Sequence, residues 1–215
     1  MSEAAPGLPD SPVFATPERA VLAEAMRELI DAVMVSEQAE GDELVAIAQD
    51  VRRLAFRLSG GSTRTEGPGY RPRTHGDYLP RSPIVGEASP LSPRIDWDEV
   101  DDHVEGRGVF TAAYEGPPGF VHGGMIALAF DEMLGIANIS AGHPGMTGTL
   151  TIRYRRPTPL FVELHFKAWV ERVDGRRILS KAELWAGDQL CAEADGIFVQ
   201  PRPELAEQYF GPRDS

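Results

Sequence analysis

The chain has 215 residues, 42% of them hydrophobic, enough to bury a sizeable core in one domain plus an extension or in two small domains. Its formal net charge of −12 excludes the basic footprint of a nucleic-acid binder and opposes docking on an anionic membrane. The single cysteine, Cys191, rules out an internal disulfide and a cysteine-based zinc site, and reads as a small buried apolar residue.

Residues 1–15 are rich in Pro, Ala and Ser and are expected to be disordered. They carry no basic segment followed by an apolar one, so no signal peptide is expected and the location reads as cytoplasmic. Thr16-Pro17-Glu18 is a helix start: an N-cap, a proline in the first turn, then an acid. Val21, Leu22, Ala25, Met26, Leu29, Ile30 and Val33 recur with helical period. A second helix is predicted from about Asp42 to Leu58, with Leu44, Val45, Ile47, Ala48, Val51, Leu54, Ala55 and Leu58 on its apolar side. Gly41 separates the two and Gly60-Gly61 ends the second. Residues 1–59 thus form a helical extension whose apolar faces need a partner, either the main domain or a second subunit. A packing extension is favoured over an interaction module. Residues 60–93 are irregular and full of Gly, Pro, Ser and Arg, and read as a linker or as a strap over the main domain. His75, within them, reads as a surface residue.

The pattern changes at about Arg94, where a domain spanning 94–203 begins. Gly106 to Tyr114 reads as a strand, and Gly116-Pro117-Pro118-Gly119 as a loop delivering the chain to Val121. From Gly123 to Ile139 the chain is almost wholly apolar, too short and too acidic for a membrane span of about 20 apolar residues. Alternation then marks strands. Leu150, Ile152 and Tyr154 share one face, as do Val162, Leu164, Phe166, Ala168 and Val170. After an Asp174-Gly175 turn, Ile178, Ser180, Ala182 and Leu184 continue the inner face. Gly187-Asp188 is another turn, and in the strand that follows Ala192, Ala194 and Gly196 are small, as if something bulky lies against them. Pro201 and Pro203 end the sheet, leaving a tail at 204–215.

One buried helix followed by antiparallel strands, each with one apolar face, predicts an α+β fold with a curved sheet wrapped around the helix. A sheet curled around one helix leaves part of that helix and a sheet edge uncovered. At least a homodimer is therefore expected, with a tetramer the larger alternative.

The helix carries one acidic pair, Asp131-Glu132, in apolar surroundings. A carboxylate placed there is costly unless partnered, so the pair is the first candidate for chemistry, set against a solvated bend in a structural helix. Gly123 and Gly124 are poor helix formers, but they offer backbone N–H groups at the positive end of the helix, suited to a carbonyl oxygen or a phosphate.

Residues 94–202 resemble the hotdog-fold thioesterases, in particular the group with the phenylacetate-pathway thioesterase and the human thioesterase-superfamily members. The resemblance rests on His122-Gly123-Gly124, Ala127, Asp131 and Gly135, then on Thr147 and on Leu150-Thr151-Ile152-Arg153-Tyr154-Arg155-Arg156-Pro157. It implies a hydrolase of acyl-coenzyme A thioesters with a place in fatty acid metabolism. By the resemblance Asp131 is the catalytic carboxylate and the Gly124 N–H polarises the thioester carbonyl. His122 shapes the loop beside Gly123, and Thr147 assists the water. Glu132 points about 100° away on the helix and reads as a salt-bridge or hydrogen-bonding partner.

Gly124 and Asp131 are separated by roughly 10 Å along one helix, so one carbonyl cannot touch both. Two helices running antiparallel across a dimer bring Gly124 of one subunit opposite Asp131 of the other and give a shared site. Asp131 then acts as general base on a water or attacks to form a mixed anhydride. Neither a metal nor a cofactor is expected, coenzyme A being part of the substrate. Arg153, Arg155 and Arg156, with Arg176 and Arg177, are candidates for its phosphates, Arg156 foremost; the alternative is a solvated outer sheet face. A serine hydrolase is excluded for want of a Gly-x-Ser-x-Gly elbow. His122 sits in a thioesterase-type loop rather than a dehydratase context. The non-enzyme alternative is an acyl-CoA-binding sensor with the helical hairpin as output.

Overall fold

The computed structural model describes residues 16–60 and 79–202; the expectations for residues 1–15, for His75 and for the tail at 204–215 fall outside them. Two helices come first, α1 (Pro17–Val35) and α2 (Asp42–Leu58). Strands β1 (Asp96–Val100) and β2 (His103–Val109) follow, then a 3-10 turn at Ala112–Tyr114 and the long helix α3 (Gly123–Ser140). Strands β3 (Met146–Tyr154), β4 (Glu163–Asp174), β5 (Arg177–Ala186) and β6 (Gln189–Val199) complete the fold. The six strands form one antiparallel sheet in the order β1-β2-β4-β5-β6-β3, packed against α3 in the hotdog arrangement.

The two hairpins lie where the turn residues put them. Asp174 pairs with Arg177 and Ala186 with Gln189. Gly175 and Gly187 take φ of 58° and 60°, a region glycine enters without the Cβ penalty. The helix-facing positions alternate as the sequence predicts: Leu164, Phe166 and Ala168 on β4, and Ile178, Ala182 and Leu184 on β5, are buried. They meet Phe130, Met133 and Leu134 of α3, with the Phe130 and Phe166 rings edge to face at 6.0 Å. The small stretch of β6 does accommodate something bulky. A Cβ on Gly196 would lie 3.1 Å from Leu134 and 2.6 Å from the Phe198 ring.

Two strand readings need correction. The expected strand Gly106–Tyr114 is only the second half of a hairpin: β2 starts at His103 and ends at Val109. Ala112–Tyr114 then turns so that the buried Phe110 and Tyr114 rings stack edge to face at 5.3 Å. β1 (Asp-Trp-Asp-Glu-Val) has no apolar alternation because it is an exposed edge strand, where charge discourages further pairing. Second, β3 starts at Met146 rather than Thr149, with a bulge between Thr147 and Thr149.

Thr16 caps α1, its side-chain oxygen accepting the Arg19 N–H at 3.4 Å. Two long-range bonds hold α1 to the main body: Arg27 donates to the Ser89 carbonyl and the Thr111 hydroxyl donates to Asp31, each at 2.7 Å. α2 has the limits its sequence predicts and buries none of its residues. Residues 79–93 are irregular yet anchored. Ser82 accepts the N–H groups of Ile84 and Val85, Ser92 donates to the Ile84 carbonyl at 2.7 Å, and Ile84 is fully buried in the core. This strap therefore packs into the core rather than over it.

Truncating that anchor is expected to cost what a core cavity costs. Ile84→Ala should destabilise by about 2–4 kcal/mol, against under ~0.5 kcal/mol for Val33→Ala on exposed α1. Urea unfolding of the full chain reads both; equal midpoints would place the strap outside the cooperative unit.

Candidate active site

α3 begins at His122, whose backbone is extended (φ −62°, ψ 132°) and whose Nδ1 accepts the Gly124 N–H at 2.9 Å. A ring nitrogen that accepts leaves the imidazole proton on Nε2, which faces away from the helix. The loop is tight. The His122 N–H donates to the Tyr114 carbonyl at 2.9 Å, and a Cβ on Gly116 would lie 2.7 Å from the His122 Cα. A Cβ on Gly124 would sit 3.1 Å from His122 Nδ1, so the glycine gives the ring room to fold back.

This alters one sequence expectation. The Gly124 N–H is not bare; it is engaged by the histidine two residues before it. Among the described residues it is the Gly123 N–H that makes no hydrogen bond. The Gly123 carbonyl accepts from the Tyr154 hydroxyl at 2.8 Å, which ties the helix start to the end of β3. Tyr114, behind the loop, is pushed up to about 12 by burial and by the Asp31 carboxylate, so it remains a donor, to the Leu91 carbonyl at 3.3 Å.

Asp131 stands two turns along α3, about 20° around the helix from Gly124 at about 100° per residue, and is half-buried. The Thr147 hydroxyl donates to its Oδ1 at 2.7 Å. The β3 bulge makes this contact possible. Leu150 pairs with Gly196 on the helix-facing side, so unbroken alternation would turn Gly148 inward and Thr147 outward. The register shift instead sets Thr147 opposite buried Phe198, on the inner face. Glu132, half-buried, projects from another side of α3.

The arginines divide. Arg153 pairs with Asp195 at 2.5 Å and Arg155 with Glu193, both diagonally across to β6. Both guanidinium groups stay about half exposed. Arg156 makes no ion pair with a described residue. Its N–H donates to the Cys191 carbonyl at 3.0 Å, and its side chain borders a shallow pocket with Trp185 and Gln189, just past Tyr154. Arg176 lies at the far hairpin, donating to the Gln200 carbonyl. Cys191 is buried and reduced.

Beside the α3 face lies a mainly apolar, half-open cavity of 440 Å³, walled on one side by α1 and the strap. Ile30, Leu91, Val109, Met125 and Leu128 line it, with Arg27 and Asp31 at its polar side. Leu128 falls between Gly124 and Asp131 on the helix. The sequence carried no signal for this cavity, because its walls come from four separate segments: α1, the strap, the end of β2 with the 3-10 turn, and α3. Nor did it mark the Tyr154 hydroxyl, read there as an inner-face residue; the side chain is 53% exposed and reaches along the helix start. Among the described residues no group of His, Cys, Asp and Glu could hold a metal ion, and no helix is long and apolar enough to cross a membrane.

Comparison with known proteins places this geometry. The model of the thioesterase superfamily matches residues 118–193, from the loop before His122 to β6. The chain is 34% identical over 91 residues to the acyl-coenzyme A thioesterase THEM4 of Xenopus laevis, covering 41% of each protein. It is 35% identical over 92 residues to THEM4 of Mus musculus, covering 42% of this chain and 40% of that one. The matched region thus spans about two fifths of the length of these curated relatives. A crystal structure of a thioesterase superfamily protein superposes with a TM-score of 0.75 at 32% identity, covering 88% of this chain and 93% of that one. With so extensive a match to a relative of this identity, the chain belongs to the thioesterase superfamily.

Proposed function

We propose that this protein hydrolyses acyl-coenzyme A thioesters, with Asp131 as the general base. The observation that carries the reading is the 2.7 Å bond from Thr147 to Asp131, made across a strand bulge on the same helix face as the His-Gly-Gly start of α3. A hydroxyl that donates to Oδ1 fixes the carboxylate and leaves its own lone pairs to accept from a water. That water is held between Thr147 and Asp131, gives a proton to Asp131, and attacks the thioester carbon. The carbon–sulfur bond then breaks and coenzyme A leaves as a thiolate. A thiolate is a good leaving group, so the step needs no strong acid and no cofactor beyond the substrate.

The carbonyl oxygen lies at the start of α3. Binding there displaces the His122 ring from the Gly124 N–H, exchanging one hydrogen bond for another, and the helix dipole favours the developing oxyanion. The Gly123 N–H is a second donor at the same place. The freed imidazole then presents Nε2–H to the substrate. The roughly 10 Å along the helix between Gly124 and Asp131 requires the two to come from different copies. Leu128 (38% exposed) and Ile139 (49%) on α3, with Met146 (51%) on the β3 edge, are the surfaces such a dimer covers. Arg156 meets the coenzyme A phosphates, and the acyl chain enters the cavity beside Leu128, whose 440 Å³ suits an apolar chain.

Three variants test this by release of free thiol from a panel of acyl-CoAs. Asp131→Asn should lose about a hundredfold or more in kcat, the scale of a missing general base. Accumulation of a hydroxylamine-sensitive acyl-enzyme would make Asp131 the nucleophile instead, and tight acyl-CoA binding without turnover by the wild type would leave a sensor. His122→Ala should cost about 1 kcal/mol of stability as a lost cap. It should also reduce kcat/KM; unchanged kcat/KM would confine His122 to capping. Leu128→Trp should shift preference toward shorter chains, and an unchanged chain-length profile would remove the cavity from the substrate path.

A further inference from the structure

α2 carries a pattern that nothing else in the described chain answers. Leu44 and Leu58 lie seven residues to either side of Val51, Ile47 and Ala55 four, and Ala48 and Leu54 three. At about 100° per residue all of them fall within about 60° of Val51 around the helix. The apolar stripe is therefore symmetric end to end. It is also open: Leu44 is 52% exposed, Leu54 47% and Leu58 61%. Leu58 borders a cleft with Leu22 and Met26 of α1; Ala48 and Val51, at the centre of the stripe, are half-buried, and Leu44, Ile47, Leu54 and Ala55 are exposed. Seventeen residues make a helix about 25 Å long, too short to be stable unless its apolar face is packed.

A stripe that maps onto itself when reversed suits a twofold antiparallel pair, because each apolar residue then meets an apolar residue at the mirror position on the other copy. The charges agree. Asp42, Glu43 and Asp50 occupy the first half of α2, and Arg52, Arg53 and Arg57 the second. Antiparallel pairing sets acid against base and opposes the two helix dipoles; parallel pairing sets like against like. Glu43, Asp50 and Arg57, seven residues apart, share one flank, so Glu43 of one copy comes beside Arg57 of the other. Asp50, nearest the axis, is already ion-paired with Arg53 of its own helix. Three acids and three arginines sum to no net charge, which argues against an anionic lipid surface as the occupant.

We infer that α2 is a self-association element, docking antiparallel on α2 of a second copy of this chain about an axis at Val51. This contact uses no residue of the α3 site and stands apart from the catalytic reading. Combined with pairing of the α3 faces about a second axis, it would close two dimers into a tetramer.

Site-directed cross-linking of the full chain tests it. Cys191, the native cysteine, is buried and stays out of the reaction. One chain carries Leu44→Cys and another Leu58→Cys; each is oxidised alone and in an equal mixture. The mixture should give disulfide-linked dimer at about ten times the yield of either chain alone, because only the mixed pair brings two thiols within bonding distance. Adding Glu43→Arg to the first chain should lower that yield about fivefold, and adding Arg57→Glu to the second should restore it, the behaviour of an exposed ion pair. Self-linking of the Leu44→Cys chain would overturn the antiparallel arrangement. A mixture no more reactive than its components, or a charge reversal without rescue, would overturn the pairing itself.

Discussion

The structure depends on wrapping one apolar helix. α3 buries Phe130, Met133, Leu134 and Ala137 against the sheet, and small residues on the facing strands, Gly106 and Gly196, let it come close. A six-stranded sheet curls around one side of such a helix and leaves the other open. Two polar features of α3 share one side: the helix start with its backbone N–H groups, and Asp131 two turns on, about 20° around the helix. The helix is tied to β3 at both places, by Tyr154 to the Gly123 carbonyl and by Thr147 to Asp131. The candidate chemistry therefore sits on the central helix, held from the flank by an edge strand.

The N-terminal extension does two different jobs with two similar helices. α1 is bonded to the strap and to the 3-10 turn through Arg27 and Asp31, and so becomes a wall of the cavity beside α3. Among the described residues α2 is held by nothing comparable. The difference lies in their side chains. α1 places buried Ala23 and the charged Arg27 and Asp31 toward the main body, where polar partners meet them. α2 instead keeps an apolar stripe flanked by segregated charge, a surface suited to another helix rather than to a strap of prolines and serines.

The sequence by itself determined the elements and their faces. Thr16-Pro17 starts α1, Asp174-Gly175 turns the sheet, and the alternation of Leu164, Phe166 and Ala168 fixes which side of β4 is buried, because each is a local rule of backbone or side-chain geometry. Gly124 and Asp131 stood out for their chemistry, and His122 and Thr147 through the resemblance to the hotdog-fold thioesterases. Tertiary structure alone decided how they meet. Thr147 faces Asp131 because a bulge reverses the strand's parity, and a bulge is set by pairing with a distant strand. The Gly124 N–H is engaged because the loop folds His122 back over it. Edge strand β1 was silent because most of it is exposed, and the pairing of Arg153 and Arg155 was not legible because their carboxylate partners lie on β6, some 40 residues away in sequence. The cavity was invisible for the same reason: its walls come from α1, the strap, the end of β2 with the 3-10 turn, and α3, and only the packed chain brings them together.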